Sequence, residues 1–189
     1  MLKTRIRKWC LLLLLLGCCM GVQAQYSMGN TGLLNIPTAD MQKAGTFMGG
    51  GNYLPNGMTP FNFNTGNYFV NITFLSFLEL SYRCTLLKTT RYDGKKGYFQ
   101  QDRSLSARIR PIEEGKYHPA IVIGTNDPFK DTGTNYFATI YGVLTKGFSI
   151  AKGDRLALTA GYYLPLNKHS IQDGPFGGIS YSPAFCREM

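Results

Sequence analysis

The chain has 189 residues, with 20 Lys and Arg against 11 Asp and Glu, a formal charge of +9 at pH 7. That length suits one domain. The basic residues are spread along the chain rather than clustered, which argues against a nucleic-acid surface, and no segment after the first 24 residues is an unbroken apolar stretch of the roughly 20 residues a transmembrane helix needs.

Residues 1–24 read as a secretory signal peptide. Lys3, Arg5, Arg7 and Lys8 form a charged start with no acid, Trp9 to Leu16 is almost wholly apolar, and Val22-Gln23-Ala24 supplies the small residues of a cleavage site. Cleavage is expected after Ala24. Leu15-Leu16-Gly17-Cys18 offers an alternative, a lipobox-like pattern that would place a lipid on Cys18, although Leu16 is unusual in it. Removing the four basic residues lowers the charge to 9 − 4 = +5 and removes Cys10, Cys18 and Cys19. Cys84 and Cys186 remain. An exported chain could join them, but one pair is no disulfide framework, and Cys84 falls in phase with apolar strand residues.

After an N-terminal segment over 25–45, period-2 alternation dominates from residue 46 onward. Thr46–Tyr53 is a glycine-rich candidate strand. In Asn67–Phe74, Tyr68, Val70, Ile72 and Phe74 share one face and Asn67, Asn71 and Thr73 the other, with Phe69 as an exception. In Leu78–Leu86, Leu78, Leu80, Tyr82, Cys84 and Leu86 alternate with Glu79, Ser81, Arg83 and Thr85. Ser104, Ser106, Arg108 and Arg110 alternate with Leu105, Ala107 and Ile109. Successive strand side chains point to opposite faces, so each segment has an apolar wall and a polar wall. Ala120–Thr125, Asn135–Thr145, Leu156–Tyr163 and Phe176–Ser182 complete about eight strands. No capped helical pattern and no short repeat interrupts them.

The connections alternate in length. Leu75-Ser76-Phe77 is very tight, Leu87 to Gln101 is long and polar, Pro111 to Pro119 is medium, and Asn126–Thr134 and Pro165–Pro175 are turn-rich. Short turns on one side, longer loops on the other and girdles of aromatic residues are the habits of outer-membrane barrels. Twelve Tyr and twelve Phe fit such girdles; in a dry core so many Tyr hydroxyls would each need a partner. The expected fold is therefore all-β, an antiparallel outer-membrane barrel or partial barrel. A β-sandwich remains the alternative, because alternation occurs there too, with one face in water. In a barrel, Glu79, Ser81, Ser104 and Ser106 would form the polar lumen face.

Several short motifs occur in a fixed order. Thr31-Gly32-Leu33-Leu34-Asn35-Ile36-Pro37-Thr38-Ala39-Asp40 comes first, then Gln101-Asp102-Arg103-Ser104 with Arg108-Ile109-Arg110-Pro111. His118-Pro119-Ala120-Ile121-Val122-Ile123-Gly124, Asn126-Asp127 and Gly133-Thr134 follow, and Tyr141 to Lys146 closes the series. In order and spacing the chain resembles the YjbH-type exopolysaccharide biosynthesis family, with Gly32, Pro37, Thr38, Asp102, Gly124, Asp127, Gly133 and Thr134 at the motif positions. The resemblance implies an outer-membrane barrel-like protein or lipoprotein, encoded with exopolysaccharide or capsule genes, that influences polymer secretion or surface assembly. It supplies no catalytic residues. Family members tend to be longer, and outer-membrane barrels usually end on an aromatic-terminated strand, which Phe185-Cys186-Arg187-Glu188-Met189 is not. The barrel domain over 46–189 is therefore expected to be incomplete at its C-terminus.

Chemistry has few places to sit. His118 and His169 are the only histidines. Asp102, Asp127 and Asp131 could be assembled with His118 into an envelope hydrolase, but no Gly-x-Ser-x-Gly elbow accompanies them, and His118 before Pro119 reads as a turn. Asn126-Asp127-Pro128 and Asp131-Thr132-Gly133 invite a calcium reading, yet Asp and Asn beside Pro and Gly are ordinary turn formers. Met48-Gly49-Gly50-Gly51-Asn52 lacks the Lys-Ser/Thr of a phosphate loop. No metal, no cofactor and no enzymatic activity are expected. Arg83, Arg108 and Arg110 share the polar face of two consecutive strands and could contact an acidic polysaccharide, since arginine pairs bidentately with carboxylates; internal ion pairs with Glu79 are the competing reading. The expected partners are outer-membrane lipid, an acidic exopolysaccharide and other polysaccharide-export proteins. The expected role is a non-enzymatic export or assembly factor, with an exported polysaccharide-binding β-sandwich as the alternative.

Overall fold

The computed structural model describes residues 26–55, 64–90, 94–128, 136–150 and 153–184. The expected cleavage after Ala24, the lipidation of Cys18, and Asp131, Gly133, Thr134 and Cys186 lie outside the described residues. A small hairpin comes first: β1 (Gly32–Leu33) pairs antiparallel with β2 (Ile36–Pro37). Eight strands follow: β3 (Thr46–Leu54), β4 (Thr65–Leu75), β5 (Leu78–Thr90), β6 (Lys96–Ile112), β7 (Ala120–Asn126), β8 (Thr139–Ser149), β9 (Arg155–Pro165) and β10 (Gly174–Ser182). Each pairs antiparallel with its neighbours in chain order, so the sheet is a simple up-and-down meander with β3 and β10 as its edges. It curls into a half-barrel.

The alternation read from the sequence becomes the two faces of this sheet. Pairing Glu79 with Arg108, Ser81 with Ser106, Arg83 with Ser104 and Asn71 with Ser81 brings the polar residues of three strands onto one wall. That wall is concave and buried, with Asn71, Thr73, Glu79, Ser81, Arg83, Ser104, Ser106 and Arg108 all among the least exposed residues of the chain. The convex wall is apolar and open. Tyr68, Val70, Ile72, Phe74, Tyr82, Leu105, Ile109, Ile123, Ile140, Leu144, Leu158, Tyr162 and Ile179 are 39–68% exposed. The usual order of a globular sheet, apolar in and polar out, is reversed.

Residues 26–42 fill the concave side. Tyr26, Met28, Asn30, Thr31, Thr38, Ala39 and Gln42 are buried between the walls of the half-barrel, while Leu34 at the hairpin tip is half exposed. Gly32 closes the hairpin because a Cβ there would stand 2.6 Å from the Ile36 carbonyl oxygen. Under β7–β10 the filling is apolar: Ala39 packs with Ala120, Val122, Tyr141, Val143 and Tyr163, and Phe176 borders them.

Phe69, the exception to the alternation, points inward and is buried. Glycine makes the room, since a Cβ on Gly50 would lie 2.5 Å from the Phe69 ring and one on Gly29 2.8 Å from its Cβ. The expected long loop from Leu87 to Gln101 is corrected: β5 and β6 continue as a paired ribbon, with Lys88 opposite Tyr98 and Thr90 opposite Lys96, leaving a connection of 91–95. Threonines and a tyrosine suit a strand despite the polar composition. With that loop shortened, the expected alternation in length breaks at this point, since the connection 91–95 is shorter than the next one, 113–119. The connections over 55–64, 91–95, 127–138 and 166–173 fall at one end of the sheet, and those over 76–77, 113–119 and 150–154 at the other.

Candidate functional site

The polar strip of β4–β6 and the segment it holds are joined by a dense network of buried hydrogen bonds. At its centre Arg108 Nη2 meets Glu79 Oε2 at 2.7 Å, with neither side chain exposed. Glu79 also accepts from the Thr31 amide at 2.9 Å, the Thr31 hydroxyl at 3.1 Å and Asn71 Nδ2 at 2.6 Å. Arg108 donates to the Thr31 carbonyl at 2.9 Å, the Thr38 carbonyl at 2.9 Å and the Asp40 carbonyl at 2.7 Å. A charge this deep is tolerated only when paired and hydrogen-bonded. Here the pairing doubles as a clasp on both legs of the hairpin.

The clasp extends along the strip. Asn71 Nδ2 donates to the Gly29 carbonyl at 2.9 Å, Ser81 Oγ to Asn30 Oδ1 at 2.8 Å and Asn67 Nδ2 to the Ser27 carbonyl at 3.4 Å. Arg83 donates to Ser104 Oγ at 3.2 Å and to Met28 Sδ at 2.6 Å, and its guanidinium lies 4.1 Å from the centre of the Phe137 ring, a cation–π geometry. On the other side Ala39 N donates to Thr145 Oγ1 at 2.8 Å. The Tyr26 and Tyr163 hydroxyls share a hydrogen bond, and Gln172 Nε2 donates to Tyr26. Burial pushes the Tyr26 phenol above its ordinary pKa, and these hydrogen bonds offset only part of the rise.

A second charged group lies at the short-turn end. Arg155 Nη2 reaches Asp40 Oδ1 at 3.0 Å and Glu114 Oε2 at 2.9 Å, Lys146 Nζ reaches Glu114 Oε1 at 3.2 Å, and the Gly147 amide donates to Glu114 at 2.6 Å. Partial burial pushes the Glu114 carboxyl up, but the Gly147 amide, Arg155 and Lys146 outweigh it and hold its pKa below the ordinary value.

The YjbH family model, described as "Exopolysaccharide biosynthesis protein YbjH", matches residues 24–164, well over half of the chain. The chain belongs to the YjbH family. No curated protein and no solved structure matches it significantly. The YjbH-like motifs, distant in sequence, meet in space. The 31–40 motif supplies the Thr31, Thr38 and Asp40 groups that Arg108 of the second motif grips. Gly124 leaves room for Tyr141, whose ring and hydroxyl would stand 2.4 Å from a Cβ there. Asp127 follows β7 with φ 49°, a left-handed turn position, and its amide donates to the Leu105 carbonyl at 2.8 Å; Asp is among the few non-glycine residues suited to it. Asp102 pairs with Thr85 across β5 and β6.

The three arginines are not brought to one surface. Arg83 and Arg108 are buried beneath residues 26–42 on internal partners; Arg108 makes the ion pair with Glu79, and Arg83 lies on Ser104, Met28 and the Phe137 ring instead. Arg110 stands apart at the short-turn end, on the Ser76 carbonyl and Glu113. Glu79, Ser81, Ser104 and Ser106 do share the concave wall, but covered by chain rather than open to water. His118 closes the 113–119 turn, its carbonyl accepting from the Gly115 amide, while Asp127 lies at the opposite end of β7. Sequence reasoning left the role of 25–45 open. The available signal was the dense run Thr31–Asp40 with its central Gly32 and Pro37, but nothing local says which strands it would dock on.

Proposed function

We propose that the protein is an outer-membrane, non-enzymatic component of exopolysaccharide or capsule production, acting as a barrel-like export or assembly factor. The observation that carries the reading is the reversed sheet: a continuous apolar convex wall and a buried polar concave wall. Lipid accepts such an outer wall; water penalises it by roughly 25 cal/mol for each Å² of apolar surface. Three further features agree. β4, β8 and β9 each have 11 residues and β3 and β10 have 9, within the range of about 9–11 that crosses a bilayer at a tilt. Outward aromatics stand toward the strand ends, with Phe47, Phe74, Phe77, Phe148 and Tyr181 at one rim and Tyr53, Tyr68 and Tyr162 toward the other. Membership of the exopolysaccharide biosynthesis family supports an exopolysaccharide as the substrate class. The partners of this role are outer-membrane lipid, an exopolysaccharide and the other proteins of its export.

The test is deletion of the gene in its host, with complementation by the full-length sequence. The reading expects loss of extracellular polymer, its restoration on complementation, and fractionation of the protein with the outer membrane in a form that migrates faster on gels when unboiled. Normal polymer export after deletion, or a protein recovered free in the periplasm, overturns it.

A further inference from the structure

The segment 26–42 is held in two different ways. Along β7–β10 it is anchored by apolar packing, Ala39 among Val122, Tyr141 and Val143, and Leu33 and Ile36 against Gly178, where a Cβ would come within 2.6 Å of Leu33, with the Ala39 amide on Thr145 and the Tyr26 hydroxyl on Tyr163 as the polar ties. Along β4–β6 the grip is polar and falls mainly on the backbone: Asn67, Asn71 and Arg108 take the carbonyls of Ser27, Gly29, Thr31, Thr38 and Asp40, and Glu79 takes the amide of Thr31. The polar half also has pairing capacity to spare. Asn30 Nδ2, Asn67 Oδ1, Asn71 Oδ1, Ser106 Oγ and Arg108 Nε are buried with no hydrogen-bond partner among the described residues. Buried polar groups normally find partners, and these are atoms that the segment does not serve.

We infer that the strip of Asn67, Asn71, Ser81, Ser106 and Arg108 is a binding site for a hydroxyl-rich polymer, and that residues 27–31 occupy it as an internal competitor which the polymer displaces. A sugar hydroxyl donates and accepts at once. A glycan chain can therefore satisfy the carbonyl-seeking Asn and Arg groups, the donor-seeking Glu79, and the atoms the peptide leaves unpaired. The anchors along β7–β10, at Tyr26 before the leg and at Leu33, Ile36 and Ala39 after it, let residues 27–31 swing out without the segment leaving the half-barrel. The inference rests on the proposed role in exopolysaccharide export and names the surface that would meet the polymer.

The test uses the chain without residues 1–24 in lipid nanodiscs, with Cys84 and Cys186 changed to Ser and Met28→Cys introduced as the sole thiol. Met28 is 1% exposed, so a polar maleimide should label the reporter slowly. Saturating maltoheptaose or a hexameric oligouronate is expected to raise the labelling rate at least tenfold. A second variant, Asn30→Cys with Ser81→Cys, ties the leg to the strip where the native side chains bond at 2.8 Å; it should abolish oligosaccharide binding until reduced. Amide hydrogen exchange over 27–31 in the protein without the reporter gives a check free of Met28→Cys, and should accelerate with either sugar. Labelling and exchange that ignore both sugars, or sugar binding that is equally tight in the cross-linked protein, overturn the inference. The gene deletion reports separately: polymer export lost on deletion, with no displacement by sugar, removes the competition and leaves the export role standing.

Discussion

Replacing Glu79 with Leu probes the clasp directly. The substitution removes one carboxylate and four hydrogen bonds, from the Thr31 amide and hydroxyl, Asn71 and Arg108. It strands the Arg108 guanidinium in a site with no exposure. Breaking a buried pair from one side costs about 3–5 kcal/mol, and the orphaned Thr31 and Asn71 donors place this case toward the upper end of that range. Arg108→Met alone leaves Glu79 charged but still holding three neutral donors, so a smaller loss of about 3 kcal/mol is expected. The double variant removes both charges, leaving only neutral groups without those partners, chiefly the Thr31 amide and hydroxyl and the carbonyls of Thr31, Thr38 and Asp40. Its loss should fall short of the sum of the singles by about 2–3 kcal/mol, the coupling typical of groups in one network. Equilibrium urea unfolding in lipid vesicles reads all four corners of the cycle. Trp9, the sole tryptophan, lies in the segment expected to be cleaved, so β-sheet circular dichroism and the heat-modified gel shift are the suitable signals. Strict additivity, or a Glu79→Leu loss below about 1 kcal/mol, would refute the claim that this pair fastens the N-terminal segment.

Ile109→Arg places a charge on the convex wall, where Ile109 is 46% exposed; in lipid it should cost about 2–4 kcal/mol near the bilayer midplane, whereas an effect within about 0.5 kcal/mol, the norm for a water-exposed surface, would count against membrane insertion. Gly124→Ala drives a methyl toward the buried Tyr141 ring at 2.4 Å and should destabilise by about 1–3 kcal/mol, measured by the same unfolding; an unchanged midpoint would show that Tyr141 is not fixed there. Glu114 has a folded pKa below its unfolded value, so its contribution is fully present above the unfolded pKa of about 4.3 and fades as pH falls through the folded value. Glu114→Gln should therefore flatten part of the acid side of the stability profile, and a profile identical to that of the parent chain would refute this.

The alternation over Asn67–Phe74, Leu78–Leu86 and Ser104–Arg110 fixed most of the fold from sequence alone, because strand side chains alternate strictly and each face carries one polarity. The family, too, was legible in short motifs whose order survives in one dimension. Register and curvature were not. That Glu79 stands opposite Arg108, and that both reach Thr31 nearly fifty residues or more away, depends on which residues the meander sets side by side and how far the sheet curls. A period-2 pattern carries no record of either. The same limit explains the reading of Glu79, Ser81, Ser104 and Ser106 as a lumen face open to water: a polar wall looks the same in sequence whether water or peptide backbone covers it. Phe69 is the counterpart, an apolar residue on the polar wall that makes sense only once Gly29 and Gly50 are seen beneath its ring. The sequence by itself determined which face each strand residue takes, since that follows from local geometry; only the tertiary structure decided what fills the concave side, since that depends on contacts between residues far apart in the chain.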